Sequence, residues 1–179
     1  MVWQIERDSA AKYLLGHIHE RIKRAIMKIW VDADACPSVI KDILYRVANR
    51  TQIMVTLVAN QMLHVPPSPW IQARQVCAGA DVADQRIVDQ VNAHDVVVTA
   101  DIPLAALVIA KQAWVIDPRG DLIDQHSIAA RLTMRNFMQD LRDNGVQTGG
   151  PAAFNDRDSR AFANQLDRLI TRIQRQSAP

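Results

Sequence analysis

The sequence predicts an α/β fold, a three-layer α/β/α sandwich built on a mostly parallel sheet. Short apolar runs rich in β-branched residues, such as IWVD at 29–32 and DVVV at 95–98, alternate with segments of helical periodicity. Strands that alternate with helices usually form a parallel sheet with helices on both faces. Two of these runs also lead directly into aspartates, which indicates that acidic groups gather where strands end.

Proline and glycine mark the boundaries between the predicted elements. Pro37 and Pro103 fall in the first turns of two helices, where a missing N–H costs little. HVPPSP at 64–69 predicts a loop over residues 60–69, and TGGP at 148–151 predicts a hinge before the last helix. The predicted order is strand 28–33, helix 37–49, strand 52–59, strand 70–77, helix 82–93, strand 95–100, helix 102–112, strand 113–116, helix 125–143 and helix 156–175.

Residues 1–26 precede this alternation and are predicted to form an extra amphipathic helix. Apolar residues recur there at helical spacing with basic residues between them. The formal charge of +2 arises entirely in this segment, so the rest of the chain is neutral and shows no general excess of basic residues. We expect residues 1–26 to be dispensable for chemistry and residues 27–179 to form one domain, with a C-terminal helical segment at 125–179.

Composition excludes several classes of protein. No apolar run reaches the roughly 20 residues that a membrane span requires, and no secretory signal is evident, so a cytoplasmic location is expected. Cys36 and Cys77 are too few for a disulfide framework, and no spacing suggests structural zinc. Cys36 beside a helix start could have a nucleophilic thiol, but a small residue packed in the turn is the favoured interpretation.

Four aspartates are candidate metal ligands. Asp32 and Asp34 end the first strand, Asp101 follows a later one, and Asp84 lies in a predicted helix, with Asp81 as a fifth acid. Carboxyl ends of parallel strands meet at the edge where α/β proteins bind ligands. Hard cations take oxygen ligands, so clustered aspartates favour Mg²⁺ or Mn²⁺ over zinc.

Each of these acids also has a purely structural alternative. Asp34 or Cys36 could cap the helix that begins at Pro37, and Asp101 could cap the helix containing Pro103. Asp81 could be an N-cap, and Asp84 an ordinary first-turn acid favoured by the helix dipole. A role in metal binding is favoured because these acids accumulate at one predicted edge of the sheet.

Five motifs occur together in order: DADACP at 32–37, ADQRIV at 83–88, VVTADIPLA at 97–105, PRG at 118–120 and QTGGP at 147–151. In these the chain resembles the YaiI/YqxD family of uncharacterised bacterial proteins, from about Met27 nearly to the C-terminus. That family in turn resembles PIN-like nuclease domains. The resemblance implies a metal-dependent nuclease acting on phosphodiester bonds, with RNA the expected nucleic acid, although a small phosphate ester stays open as substrate.

Carried onto this chain, the resemblance implies that Asp32, Asp84 and Asp101 are catalytic and hold Mg²⁺ or Mn²⁺, with Asp34 in support. PIN-like domains often have glutamate at the helix position, whereas this chain has none beyond Glu20. The shorter Asp84 therefore leaves the number of metal ions open. Arg119, after the last predicted strand, is the candidate phosphate contact; a solvated loop arginine is the alternative.

Two other functions compete with a nuclease. VDAD, VVVT and Lys111 imitate the motifs of haloacid-dehalogenase phosphatases, in which Asp32 would attack phosphorus and Asp34 would be the acid. The fold could instead serve as a non-catalytic nucleotide-binding or interaction module.

Overall fold

The structure is a computed structural model that describes residues 27–177, apart from residues 80, 148 and 151. The helix predicted for residues 1–26 lies outside the described residues, as does part of the predicted hinge at 148–151. The elements are strands β1 (Ile29–Asp32), β2 (Val55–Ala59), β3 (Ile71–Gln75), β4 (Val96–Val98), β5 (Trp114–Ile116) and β6 (Leu122–Ile123), and helices α1 (Ser38–Thr51), α2 (Val82–Gln90), α3 (Ile102–Ala110), α4 (Ile128–Asp143) and α5 (Asp156–Ser177).

The strands form one six-stranded sheet in the order β3-β2-β1-β4-β5-β6. Every neighbouring pair is parallel except β5 and β6, which are antiparallel. The predicted α/β fold with a mostly parallel sheet is therefore confirmed. The strand order changes direction at β1, which lies between β2 and β4, and the carboxyl end of such a switch point is where open α/β sheets bind ligands.

Helices cover both faces of the sheet, so its central strands are apolar on both sides. Ile29 and Val31 of β1 pack in the core beneath α1 and α5, whereas Trp30 packs in a second core beneath α2 and α3. All four residues of β1 are buried. Because side chains alternate along a strand, the last residue, Asp32, lies on the same side as Trp30, facing the layer of α2 and α3.

The sequence interpretation missed one strand and misplaced several boundaries. β6 was not predicted because its two residues are too short to show a period; the chain reverses at residues 117–121 and pairs back onto β5. Strand β2 begins at Val55 rather than residue 52, because Gln52 has φ 58° and ends α1. Helix α4 begins at Ile128 rather than residue 125, because Asp124 accepts hydrogen bonds from the N–H groups of the next residues.

In the described part of the chain, no helix combines the length and the apolar character needed to cross a membrane.

Candidate active site

Asp32 lies at the carboxyl end of the central strand, at the switch point of the sheet. It is only 9% exposed, and its Oδ2 accepts a hydrogen bond of 3.0 Å from the hydroxyl of Thr99. Thr99 directly follows β4, the neighbouring strand, and is 1% exposed. The two strands therefore hold a buried carboxylate and a buried hydroxyl against each other.

Asp101 joins this pair through the same hydroxyl. Its N–H donates to Oγ1 of Thr99 at 3.0 Å, while its Oδ1 accepts from the N–H of Leu104 at 2.7 Å. Asp101 is thus the N-cap of α3, as the structural alternative predicted. Capping uses one carboxylate oxygen, and in the described residues no hydrogen bond is recorded to the other. A capping role and a ligand role are compatible here.

Asp84 lies in the first turn of α2, which packs beside α3 and against β1. Both helices begin at the carboxyl edge of the sheet, on the side that Asp32 faces. Asp81 occupies the N-cap position of α2, with φ 60°, but its side chain makes no capping hydrogen bond. The packing of these two helices brings Asp84 towards Asp32 and Asp101.

Two of the three carboxyl groups have raised pKa values. Burial first, and then the negative charges of Asp101, Asp32 and Asp81, raise the pKa of Asp84 to about 6. Burial also raises the pKa of Asp32, with Asp34 and Asp101 adding to the effect and the Thr99 hydrogen bond opposing it. Clustered carboxylates with raised pKa values are typical of sites that hold cations or transfer protons.

Asp34 differs from Asp32 despite its similar position in the sequence. Strand β1 stops at Asp32, so Asp34 is exposed, and its Oδ2 accepts from the N–H of Asn60 at 2.8 Å. The alternative that Asp34 or Cys36 caps α1 is wrong, because Pro37 is the N-cap residue and no side chain caps this helix. Asp34 instead ties the β1 loop to the end of β2.

The donor set fits Mg²⁺ or Mn²⁺ in kind. All the candidate ligands are carboxylate oxygens, and beside Asp34 the buried Oδ1 of Asn60 has no hydrogen-bond partner among the described residues. No three Asp, Glu, His or Cys side chains within those residues converge tightly enough to surround an ion by themselves. Mg²⁺ commonly keeps several waters and binds one or two carboxylates directly, which suits such an open arrangement.

Arg119 lies at the same edge of the sheet, after β5, but it contacts the C-terminal segment. Its guanidinium forms an ion pair of 2.7 Å with Asp158 and donates to the carbonyl of Ala152. The ring of Phe154 lies 5.8 Å from the guanidinium carbon. The structure thus gives Arg119 a clamping role on α5, and its role as a phosphate contact stays a prediction.

Two other candidate residues, Lys111 and Cys36, are unsuited to a catalytic role in this structure. Lys111 ends α3 at the opposite, amino edge of the sheet, where its ammonium donates to the carbonyl of Val88. Cys36 is buried, and burial raises the pKa of its thiol to about 12. A thiol with so high a pKa is not a nucleophile at neutral pH, which agrees with the favoured interpretation of a packed residue.

Sequence reasoning noted Thr99 only as the end of the VVVT motif of the phosphatase alternative, and it did not single out Asn60 or Asp95. Thr99 could have been found, because it stands two residues before Asp101 at the end of an apolar strand. Asp95 is 3% exposed and accepts from the N–H groups of Lys28 and Asn92 and from Nε1 of Trp30. Asp95 begins β4 at the amino edge, so it supports the sheet far from the candidate site.

Comparison with known proteins establishes the family. The profile of the uncharacterised YaiI/YqxD family matches residues 30–172, and this chain belongs to that family. A UPF0178 protein of Dechloromonas aromatica is 64% identical over 147 residues, covering 82% of this chain and 98% of that protein. Others from Thioalkalivibrio sulfidiphilus and a Janthinobacterium species are 60% identical over 146 residues; these cover 82% of this chain and 99% and 97% of those proteins. No solved structure matches the chain.

Proposed function

We propose that this protein is a metal-dependent phosphodiesterase of the nuclease class, with a PIN-like site. The observation that carries the proposal is the placement of Asp84 and Asp101 near the buried Asp32 at the switch point: the charges of Asp32 and Asp101 raise the pKa of Asp84, and the charge of Asp101 raises that of Asp32. Ionising carboxylates this close together costs free energy, which a bound proton or cation would offset. A divalent cation is the natural partner of a site made of carboxylates.

In this proposal Asp32, Asp84 and Asp101 hold Mg²⁺ or Mn²⁺, and Asp34 supports them from the β1 loop. The bound cation would activate water and neutralise charge that develops on a phosphate. Thr99 fixes the orientation of Asp32 and of the Asp101 backbone through its two hydrogen bonds. The N-terminal turns of α2 and α3 point their positive ends towards the same place, which favours both the acids and an anionic substrate.

The phosphatase alternative receives less support. It needs a lysine near the attacking aspartate, and Lys111 lies at the opposite edge of the sheet. Thr99, the last residue of the VVVT motif in that scheme, does donate a hydrogen bond to Asp32. However, this contact serves a metal-binding carboxylate equally well, so the position of Lys111 favours the nuclease.

RNA is the proposed substrate because the resemblance to PIN-like nucleases implies it. The cytoplasm is the proposed location. Cys36 and Cys77 are both free thiols, which suits a reducing compartment. A non-catalytic nucleotide-binding module would share the same pocket. It would differ in showing no turnover when metal and RNA are both present.

The test is thermal melting of the full chain with EDTA, Mg²⁺ or Mn²⁺, followed by hydrolysis of short labelled RNA and DNA strands. We expect a dose-dependent rise in Tm in the wild-type protein; saturation at 100 times Kd corresponds to about 2.7 kcal/mol. The Asp32→Asn variant should lose this rise and the hydrolysis. Asp89→Asn, an exposed acid on the same helix as Asp84, is the matched control and should retain both.

Either of two outcomes would overturn the proposal. One is the absence of any Tm shift in the wild-type protein at millimolar metal. The other is a shift that persists in Asp32→Asn, which would mean that the metal binds elsewhere. A metal-dependent shift without hydrolysis of either strand would instead support the non-catalytic module.

A further inference from the structure

A groove runs between α1 and α5 on the face of the sheet opposite the three acids. It has a volume of about 340 Å³, large enough for a ligand of the size of one nucleotide. Its floor is apolar and includes Val39, Ile43, Val47 and Ala163. The ion pair between Arg50 and Asp167 closes one end.

Two arginines flank the middle of this groove. Arg46 on α1 and Arg160 on α5 are exposed, and each donates its Nε to a carbonyl one turn earlier in its own helix. In the described part of the chain neither has a carboxylate within ion-pair distance, unlike Arg50 and Arg119. Two guanidinium groups therefore face a groove without an acidic partner.

The layer formed by α1 and α5 carries a net positive charge, like the two arginines at the groove. Helices α1 and α5 together contain eight basic residues and four acidic ones. The described domain is neutral overall because the rest of it contains twelve acidic and eight basic residues. The neutral total seen in the sequence thus conceals a basic face, and a basic face attracts polyanions.

The groove and the candidate active site open at the same edge of the sheet. Helix α1 begins a few residues after Asp32, and Val39 lies in its first turn. Helix α5 also begins at this edge, because Arg119 in the turn after β5 binds Asp158 in its first turn. A chain-like substrate with one phosphate at the acids could therefore continue over the edge into the groove.

We propose that this groove is a subsite for a nucleotide of the substrate strand, distinct from the nucleotide that is cleaved. The phosphate lies between Arg46 and Arg160, which can bind phosphate through paired N–H donors. The base lies on the apolar floor formed by Val39, Ile43, Val47 and Ala163. The inference rests on the proposed function for the identity of the strand, but its binding step needs no metal.

The experiment measures binding of a short, labelled single-stranded RNA by fluorescence anisotropy in EDTA, with the full chain. Wild-type protein should bind, and the Arg46→Gln/Arg160→Gln double variant should bind at least about tenfold more weakly. The dependence of affinity on salt should also fall by about 0.7 in log–log slope, the value for one neutralised phosphate of a single strand, because both arginines contact the same phosphate. Arg168→Gln, an exposed arginine of α5 outside the groove, is the control and should bind within twofold of wild type.

Competition identifies the ligand chemistry. Uridine monophosphate should displace the RNA at lower concentration than inorganic phosphate does, because only the nucleotide can use the apolar floor. Equal competition by both would leave an anion site only and overturn the nucleotide assignment. Polyglutamate that binds as tightly as RNA would overturn it in favour of an acidic protein partner.

This inference and the proposed function can fail separately. The double arginine variant should keep the Tm shift with Mg²⁺, because both arginines lie on the face of the sheet opposite the acids. An unchanged Kd in the double variant would disprove the groove and leave metal-dependent hydrolysis intact. Loss of metal binding with retained RNA affinity would disprove the hydrolase and leave the groove.

Discussion

Thr99 donates a hydrogen bond of 3.0 Å to Asp32 across two adjacent parallel strands, and both side chains are buried. The same Oγ1 accepts from the N–H of Asp101, so one hydroxyl orients two of the three candidate ligands. A buried carboxylate without such a donor would be costly to ionise. Thr99 thus helps to keep Asp32 available in its charged form.

Replacing Thr99 with valine tests this arrangement. Thr99→Val removes a donor from Asp32 and an acceptor from Asp101, so we expect a loss of about 1–3 kcal/mol in the free energy of unfolding. The pKa of Asp32, already raised by burial, should rise further, moving the acid limb of the activity profile to higher pH. Thr99→Ser keeps the hydroxyl and should retain the profile. If denaturant titrations and pH profiles are the same for both variants, the hydroxyl has no such role.

Asp84 should make the metal-free protein more stable in mild acid. Its pKa of about 6 in the folded state lies above the roughly 3.9 of an unfolded chain, so the folded state binds this proton more tightly. The resulting stabilisation is complete below about pH 4 and is lost as pH rises through about 6. Tm in EDTA should therefore contain a component that falls between pH 4 and pH 7.

The Asp84→Asn variant removes that component. Because Asp84 is only partly buried, solvent screens some of the effect, and we expect Tm at pH 8 to rise by about 2–4 °C, as about 1 kcal/mol would produce in a chain of this length. Asp89→Asn should change neither Tm nor its dependence on pH. If the two variants melt alike across this range, Asp84 does not have the raised pKa.

Arg119→Ala separates a clamping role from a phosphate-binding role. The contacts with Asp158, Ala152 and Phe154 predict a fall of about 1–3 kcal/mol in the free energy of unfolding, because a partly buried ion pair and its hydrogen bonds are lost. They predict little change in KM for RNA. A raised KM with unchanged Tm would be the opposite result and would restore the sequence-based prediction.

The sequence was sufficient to predict the fold class and the placement of Asp32 and Asp101, because both follow apolar β-branched strands. Such runs are recognisable locally, and parallel strands bring their carboxyl ends to one edge whatever the rest of the chain does. Asp84 is different. Its approach to the other two acids depends on the packing of α2 beside α3. The periodicity of the sequence does not predict how two helices pack.

The features that sequence reasoning missed are those that depend on distant segments. Arg46 and Arg160 line one groove only because α1 and α5 pack together. These helices are separated by more than a hundred residues in the sequence. The contrast between buried Asp32 and exposed Asp34 depends on where β1 stops, because residues two apart lie on one side of a strand only while the strand continues. A two-residue strand such as β6 lies below the length at which alternation can be seen.

Asp95 should be important for stability but not for the candidate site. Asp95→Ala would leave three donors without an acceptor, the buried Nε1 of Trp30 and the partly buried N–H groups of Lys28 and Asn92, and we expect it to cost about 2–4 kcal/mol. Asp95→Asn can accept fewer of these bonds and should show an intermediate loss. The rise in Tm with Mg²⁺ should be the same size in both variants as in the wild-type protein. A smaller rise would mean that the amino edge of the sheet influences the metal site.

A series of three glycines separates backbone strain from steric contact. Gly120 has φ +92°, and a Cβ there would lie 2.6 Å from backbone atoms of Ala161 and Phe162 in α5. Gly145 has φ +78° with no atom within 4 Å of the position of a Cβ, and Gly149 has open space and no such φ. Only Gly120 combines both constraints, because the turn after β5 packs directly on the α5 backbone.

Replacement of each glycine by alanine should therefore give graded effects in chemical denaturation. Gly149→Ala should change the free energy of unfolding by less than about 0.5 kcal/mol. Gly145→Ala should cost about 1–2 kcal/mol from the left-handed backbone alone. Gly120→Ala should cost more than either, at least about 3 kcal/mol, since rigid backbone must move. Equal losses for Gly120→Ala and Gly145→Ala would mean that α5 does not pack on this turn, and the clamp formed by Arg119 would lose its structural basis.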